Sequence, residues 1–154
     1  MKEGYVRAYQ ESDAEIVAAN LRSADRMEIA AHSGLKPVRA IRRSVRGSEV
    51  AVTICSGDTP TKLAAIFGCT ADGCIWLLGT DVLTLPPLRK QFLKECRRYV
   101  DVLQDHYPLL HNVIDERNTV HIRWLRWMGF TFIRRLPQFG VENRPFMEFV
   151  RIKQ

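Results

Sequence analysis

The chain has 154 residues, of which 46% are hydrophobic and 26% are charged, and its formal net charge is +6. This composition excludes an intrinsically disordered chain, and the length suits one domain over residues 1–154 with a buried core. No apolar run approaches the about 20 residues of a membrane-spanning helix, and the N-terminal segment MKEGYVRAYQESD lacks the apolar region of a secretory signal peptide. The basic excess favours anionic partners such as nucleic acid, phosphate-bearing cofactors or acidic protein surfaces.

The N-terminal region predicts one strand followed by helices. Residues 5–9 alternate between apolar and polar side chains, as in a half-buried strand. The run Ser12-Asp13-Ala14-Glu15 predicts a capping box, in which Ser12 and Glu15 hydrogen-bond each other's amides at the start of a helix. A second helix is expected over about 24–31, and Gly34 suits the position just after its end.

A third helix, with the sequence VRAIRRSVR, is expected to begin at Pro37 and to end at Gly47. Its apolar residues share one side, and four arginines share the other at the i, i+3, i+4, i+7 spacing. These four residues, called the arginine face here, are Arg39, Arg42, Arg43 and Arg46. They are either a solvated surface or a docking surface for an acidic protein or DNA. No aromatic residue interleaves them, so stacking on bases is not indicated.

Three strands are predicted next, over 50–55, 63–69 and 74–79, and the last two form a hairpin. The run CIWLLGT is apolar throughout, which is typical of a strand buried on both faces. The four cysteines form no CxxC pair, and no metal-ligand motif is present. Cys69 and Cys74 flank the hairpin turn, so a disulfide between them and two free thiols are both open, with thiols favoured in a chain without a signal peptide.

The second half predicts a long helix over 88–106, a strand over 109–114, a further helix, and two strands over 131–135 and 146–152. An irregular loop is expected over 138–145. The predicted buried stripe of the long helix contains Leu88, Phe92, Cys96, Tyr99, Val100 and Leu103. The element order predicts a mixed α/β sheet with helices on its faces.

The late helix lies in the segment DERNTVHIRWLRWMGF. Asn118 is predicted to cap it by accepting from the amide of Val120 or His121. His121 falls in the first helical turn, where it is either a base with a lowered pKa or a structural histidine. Large apolar side chains on one face of the helix predict packing against the sheet.

This segment and the element order resemble the GNAT superfamily, the Gcn5-related N-acetyltransferases. Their late helix has the pattern N-x-x-A-x-x-x-Y-x-x-x-G-F, and Asn118, Gly129 and Phe130 fall on its Asn, Gly and Phe. The resemblance implies a GNAT-like α/β acyltransferase fold with a sheet splayed near Gly79 and Val113. Acetyl-CoA would be the cofactor of an active member.

A second resemblance covers Cys74 to about Phe130 and, more loosely, the whole chain. The segments CIWLLGTD, LRKQFLKECRRYVDVLQDHYPLL and NTVHIRWLRWMGF are similar to those of internal virion, or internal core, proteins of short-tailed bacteriophages. This resemblance implies a role in virion morphogenesis, other phage virion proteins as partners, and a place in the virion or the host cytoplasm.

The chain departs from the acetyltransferase pattern at two points. The segment GTDVLTLPPLRKQF lacks the glycines of the phosphate-binding loop, and two of its residues are prolines without an amide donor. The tyrosine that serves many of these enzymes as general acid falls on Leu125, which has no proton to donate. The resemblance therefore implies a degenerate acyl-CoA site, with an active N-acetyltransferase that acetylates an amine as the alternative.

The sequence and the resemblance together give three sets of candidate site residues. The candidate catalytic residue is His121. The candidate cofactor contacts are Gly79, Thr80, Arg89 and Asn118. The candidate partner contacts are the arginine face, and no metal ligands are expected.

Overall fold

In the part of the chain that the structure describes, seven strands form two sheets that meet at one end. The computed structural model describes residues 4–57 and 62–154. The first sheet has the strand order β1-β2-β3-β4, and the second has the order β5-β7-β6. The strands are β1 (Tyr5–Ala8), β2 (Ser48–Cys55), β3 (Leu63–Thr70), β4 (Ile75–Gly79), β5 (Leu109–Asp115), β6 (Thr131–Phe139) and β7 (Arg144–Ile152). The helices are α1 (Asp13–Ala19), α2 (Ser23–His32), α3 (Pro37–Arg46), α4 (Pro86–His106) and α5 (Thr119–Trp127), and a 3-10 helix spans Asp81–Thr84.

The two sheets join through the first residues of β4 and β5, which run parallel. Cys74 and His111 form a parallel bridge, and the amide of His111 donates to the Gly73 carbonyl at 3.0 Å. One residue further along, Asn112 Nδ2 donates to the Ile75 carbonyl at 2.7 Å. Among the described residues no further ladder joins the strands, so an opening, called the splay here, separates the rest of β4 from β5. The predicted splayed sheet is confirmed.

Gly73 makes the close approach of β5 possible. Its φ of +87° lies in the left-handed region that favours glycine. A Cβ added to Gly73 would overlap the Leu109 carbonyl oxygen. The hairpin turn therefore needs glycine both for its backbone conformation and for the space that β5 occupies.

The cysteines at this hairpin are unpaired, and the strand register explains why. Cys69 lies opposite Ile75, and Thr70 donates its amide to the Cys74 carbonyl at 3.0 Å. Because Cys69 and Cys74 are thus offset by one residue, their side chains leave opposite faces of the sheet. All four cysteines are free thiols.

Helices cover both faces of the first sheet. On one face α1, α2 and α3 bury a cluster centred on Val17, Ile41 and Ile66. On the other face α4 and α5 bury Leu83, Val100 and related apolar residues. None of the helices in the described ranges combines the length and the apolar character that a membrane span requires. The mixed α/β class and the predicted element order are both confirmed.

The predicted capping box at Ser12 is wrong. The backbone of Ser12 is already helical, with φ −66° and ψ −18°, and its hydroxyl makes no capping hydrogen bond. Buried Asp13 instead accepts from the amide of Gln10 at 2.8 Å and from both terminal nitrogens of Arg7. Thr53 Oγ1 also donates to Asp13 at 2.7 Å, which ties the start of α1 to β2.

Three further expectations need correction. The residues of β4 up to Leu77 are only half-buried, because this strand borders the splay rather than the middle of a continuous sheet. Tyr99 is 38% exposed, although it was predicted to belong to the buried stripe of α4. The loop expected over 138–145 is only the turn Gly140–Asn143, since β6 is an edge strand in which Pro137 costs no ladder hydrogen bond.

Candidate functional site

The wide end of the splay is closed by two carboxyl groups of α2. Asp25 Oδ2 accepts from the amide of Gly79 on β4 at 2.9 Å. Glu28 Oε1 accepts from the amide of Asp115 on β5, also at 2.9 Å. The amide of Arg22, which precedes α2, donates to the Gly79 carbonyl at 2.9 Å. Helix α2 therefore bridges the diverging ends of both sheets.

The register of β3 and β4 shows which backbone groups face the splay. The amide of Thr80 donates to the Ala64 carbonyl, and the amide of Thr70 donates to the Cys74 carbonyl. In an antiparallel pair the backbone groups of every second residue point to the partner strand, so the residues between them on β4 point their backbone groups away from β3. These residues are Ile75, Leu77 and Gly79. The Ile75 carbonyl is bonded to Asn112, and both Gly79 groups are bonded to α2. Leu77 has no partner strand on this side among the described residues.

His121 lies at the centre of a buried polar cluster. Its Nε2 is 2.7 Å from Arg22 Nη1, and its Nδ1 is 3.4 Å from Asp25 Oδ1. Arginine always donates, so Nε2 is the acceptor and the ring proton sits on Nδ1, toward Asp25. The imidazole stacks on Trp124 with ring centroids 4.8 Å apart. The lone pair that a base would use is therefore occupied by Arg22.

The ionisation of the cluster follows from burial. Burial lowers the pKa of His121 to about 4; the Asp25 carboxylate opposes this shift, and Arg22 adds to it. His121 is therefore neutral at pH 7. Burial, together with the neighbouring Asp25 charge, raises the pKa of Glu28 to about 8.

Asp115 keeps its charge despite being buried. Burial alone would raise its pKa, but hydrogen bonds from Arg117 and Arg144 hold that pKa below its usual value. Arg117 Nη2 donates to Asp115 Oδ2 at 2.8 Å, and Arg144 Nε donates to the same oxygen at 3.1 Å. Asp115 thus fixes the end of β5 where Glu28 binds its amide.

Asn118 occupies the N-cap position of α5, but its predicted side-chain cap is wrong. Its Nδ2 donates to Asp25 Oδ1 at 2.9 Å and approaches Glu28 Oε1 at 3.4 Å. Carboxylates are stronger acceptors than neutral groups, which explains why the amide turns toward α2. The buried Oδ1 of Asn118 has no hydrogen-bond partner among the described residues.

The segment between β4 and α4 has few free amides. Thr80 accepts from the amide of Val82 through Oγ1 and from that of Leu83 through its carbonyl, while Leu85 donates to Val82. Helix α4 begins with two prolines, and the amide of Arg89 is bonded to Leu85 at 2.8 Å. Of the first three residues of α4, only Leu88 has an N–H group.

The structure brings only some of the candidate cofactor contacts together. Thr80 is buried and donates its hydroxyl to the Leu63 carbonyl at 2.8 Å, while the Arg89 side chain is exposed. Gly79 and Asn118 both bind Asp25, on opposite sides of its carboxylate. Gly79 and Asn118 are therefore brought together, whereas Arg89 lies outside the cluster.

A cleft of about 860 Å³ passes through the splay beside this cluster. Apolar side chains dominate its lining on the side of α4 and α5, among them Leu77, Val113, Leu125 and Met128. Leu125 also contacts the buried cluster around Val100. The cleft is large enough for a small ligand, but the position that faces it on α5 carries no proton donor.

Sequence reasoning missed Arg22, Asp25 and Glu28. Their spacing of three residues places them along one side of α2, and this was the available signal. Their partners lie 54 to 99 positions away along the chain, so no local pattern indicates where they bind.

The arginine face divides into two parts. Arg42 pairs with Glu11 at 2.8 Å and with Glu15 at 2.9 Å, so it connects α3 to the start of α1. Arg39, Arg43 and Arg46 are exposed, and in the described ranges none has an acidic partner within ion-pair distance. In the same ranges no group of His, Cys, Asp or Glu side chains is arranged to hold a metal ion.

Solved structures of GNAT acetyltransferases share the fold. An N-acetyltransferase from Staphylococcus aureus Mu50 superposes with a TM-score of 0.69 at 12% identity, covering 98% of this chain and 99% of that one. A ribosomal-protein-alanine N-acetyltransferase from Brucella melitensis gives 0.68 at 13% identity, covering 97% and 99%. An aminoglycoside acetyltransferase in complex with coenzyme A gives 0.65 at 15% identity, covering 98% and 95%. At these identities the likeness shows the fold alone.

Similarity in sequence leads to a phage family. No curated protein sequence matches the chain significantly. The model of the family described as "Bacteriophage T7, probable scaffold protein Gp13" matches residues 53–135, which is more than half of the chain. The matched range includes Gly79, Asp115, Asn118 and His121, whereas the α2 residues that bind them lie outside it. The chain therefore belongs to this bacteriophage T7 Gp13 family, and it has the fold of the GNAT acetyltransferases.

Proposed function

We propose that this protein acts in assembly of the phage particle and that its acyl-CoA site is closed and non-catalytic. The closed site is supported by two hydrogen bonds of Gly79, whose amide donates to Asp25 Oδ2 and whose carbonyl accepts from the amide of Arg22. The GNAT resemblance places the ligand site near the C-terminal edge of this sheet, where Gly79 ends β4. Here the chain itself occupies the backbone groups of Gly79.

The start of α4 supports the same proposal. A pyrophosphate is bound by several free amides at a helix N-terminus, assisted by the helix dipole. The amides of Val82, Leu83 and Leu85 are engaged, and Pro86 and Pro87 have none. The residues present do not fit a pyrophosphate, so the proposed function does not include coenzyme A as a bound cofactor.

The state of His121 agrees with a structural role. A general base needs a free lone pair directed at the substrate. The Nε2 lone pair of His121 accepts from Arg22, whose charge Asp25 in turn compensates. His121 then serves to hold α5 against α2, with Trp124 stacked on its ring.

Family membership supports the assembly role, since the family description names a probable scaffold protein. Its partners would be other phage virion proteins, with Arg39, Arg43 and Arg46 as candidate contacts for an acidic surface. Exposed arginines without intramolecular partners lose no ion pair when they bind elsewhere.

Calorimetric titration with acetyl-CoA, up to millimolar concentration, tests the closed site. We expect no saturable heat, and binding in the low micromolar range would overturn the proposal. One observation favours the alternative of an active N-acetyltransferase, which is the cleft of about 860 Å³ through the splay. Release of free coenzyme A in the presence of a panel of amines would establish that alternative.

A further inference from the structure

Trp127 is an exposed aromatic residue held in a fixed position. It is 53% exposed at the last residue of α5. Its Nε1 donates to the Leu93 carbonyl of α4 at 2.7 Å. This bond uses the only hydrogen-bonding group of the indole and leaves more than half of the side chain open to solvent. Trp127 thus marks the junction between the outer surfaces of α4 and α5.

Positive charges surround this junction on both helices. Lys90 and Arg97 lie three residues before and four residues after Leu93, which places them on the same side of α4 as the Trp127 contact. Lys94 is adjacent to Leu93, and Arg123 precedes Trp127 by one helical turn on α5. All four cations are exposed, and the structure gives none of them an ion-pair partner within the described residues.

The nearest acidic residue along this side of α4 is already engaged. Asp101 follows Arg97 by one helical turn and pairs with Arg151 of β7. The surface around Trp127 therefore presents one aromatic side chain among uncompensated cations. The arginine face of α3 has no aromatic residue among its arginines, and one of its four members, Arg42, is already paired with Glu11 and Glu15.

We propose that the α4–α5 surface binds a nucleic-acid strand whose bases are unpaired. Trp127 stacks on one base, and Lys90, Lys94, Arg97 and Arg123 contact the neighbouring phosphates. Aromatic stacking combined with a cationic track is how proteins hold single strands without reading their sequence. An acidic protein surface would need only the cations for binding, so the exposed ring of Trp127 would have no role in such a contact. In a duplex the base faces are stacked on one another, so Trp127 would have no partner there.

Fluorescence anisotropy with a labelled oligothymidylate of about 16 nucleotides tests the proposal. We expect binding at low salt that weakens steeply as salt rises, because bound phosphates release counterions. The oligouridylate of the same length distinguishes DNA from RNA as the source of the strand. A duplex of equal length that binds as tightly as the single strand would overturn the proposal.

Two triple variants of equal charge separate local recognition from net charge. Lys90→Gln/Lys94→Gln/Arg97→Gln should weaken binding by at least about tenfold. Arg39→Gln/Arg43→Gln/Arg46→Gln removes the same charge from exposed positions on α3 and should weaken it by less than about threefold. Equal losses from both variants would show that only the total charge matters, which contradicts the proposal.

The aromatic contribution is tested at Trp127 itself. Trp127→Ala should weaken binding by about tenfold, and Trp127→Phe should retain most of it because the phenyl ring still stacks. Equal binding by Trp127→Ala and the unchanged protein would overturn the stacking role. Thermal melting of each variant verifies the fold. If Trp127→Ala proves unstable, the comparison of the two triple variants decides whether the α4–α5 surface binds the strand.

Discussion

Asp25 and Glu28, one turn apart on α2, accept backbone amides from two different sheets, Gly79 of β4 at 2.9 Å and Asp115 of β5 at 2.9 Å. The opening between β4 and β5 separates the two sheets, and one helix spans its wide end. Because the two carboxyl groups accept from backbone amides, the contact holds the strands themselves rather than their side chains. The bridge therefore affects both the stability of the protein and access to the splay.

Removing the Asp25 carboxylate should destabilise the protein strongly. Asp25→Ala deprives Arg22 of its buried counter-ion and leaves Asn118 Nδ2 and the Gly79 amide without their acceptor. The loss of one partner of a buried ion pair costs about 3–5 kcal/mol. Denaturant unfolding measures this cost. Asp105→Ala, at an exposed position of α4, is the control and should change the free energy of unfolding by less than about 0.5 kcal/mol.

Glu28 should make the stability fall as pH rises from 4.5 toward about 8. Its folded pKa of about 8 lies above the unfolded value of 4.5, so the folded state binds the extra proton. That contribution is fully present below the unfolded pKa and is lost as pH increases toward 8. Unfolding free energies measured from pH 6.5 to 8 should decline in the unchanged protein and stay level in Glu28→Gln. Glu142→Gln, on the β6–β7 turn, is the matched control, and a decline that persists in Glu28→Gln would contradict the assignment.

The contribution of His121 to the free energy of unfolding should increase with pH, opposite to that of Glu28, and it should do so at lower pH. Its folded pKa of about 4 lies below the unfolded 6.5, so unfolding takes up a proton between these values. The His121 contribution to stability therefore rises from pH 4 to 6.5, by roughly 3 kcal/mol at most for a shift of this size. It is measured in the Glu28→Gln protein, because Glu28 makes the opposite contribution over most of the same range. His121→Gln removes this slope. It should also lower the melting temperature at pH 7, because Gln cannot both accept from Arg22 and stack on Trp124.

The same His121→Gln sample separates the structural role from the catalytic one. A structural histidine predicts a lower melting temperature, with any acetyl-CoA turnover in proportion to the folded fraction. A catalytic base predicts an unchanged melting temperature with turnover abolished. A stable and inactive His121→Gln protein would defeat the structural role.

The sequence predicted those parts of the protein that depend on local patterns. Helix α4 follows from its apolar periodicity, and the end of α5 follows from Gly129, whose φ of +90° suits a helix stop. The splay was expected from the resemblance that Asn118, Gly129 and Phe130 carry. In each case the signal lies within one element or one turn.

The closure of the splay could not be predicted in this way. Asn118 has the residue type and the position of an N-cap, yet its side chain binds a carboxylate 93 positions away. Likewise, the sequence of α3 does not distinguish Arg42 from the other arginines of the face. Its ion pairs with Glu11 and Glu15 are visible only in the folded chain. These contacts depend on tertiary proximity, which charge and periodicity within a helix do not encode. A single sequence shows the carboxylates of α2 but not the strands that they join.

The arginine face should contribute to assembly through its exposed members. Arg39→Glu/Arg43→Glu should reduce incorporation of the protein into phage particles, while the free energy of unfolding changes by less than about 0.5 kcal/mol per site. Arg42→Gln should instead lower stability, because it breaks the contact between α3 and the start of α1. Particle content is measured by quantitative blotting of purified virions from a complemented deletion phage. Unchanged incorporation of the Arg39→Glu/Arg43→Glu protein would make these arginines a solvated surface.

Restoring the missing hydroxyl on α5 should not restore catalysis. Leu125→Tyr places a phenol at the edge of the cleft, at the position where acetyltransferases of this fold carry their proton donor. A proton donor accelerates transfer only when an acyl donor is bound, and the amides that would hold its pyrophosphate stay engaged or absent in this variant. Leu125→Phe is the matched control, since it adds the same ring without the hydroxyl and should show the same overpacking cost of about 1–3 kcal/mol. Coenzyme A release by Leu125→Tyr should thus equal that by Leu125→Phe. Release that exceeds the Phe variant would mean that acetyl-CoA reaches the splay, and the bridge from Asp25 and Arg22 to Gly79 would then have to open in solution.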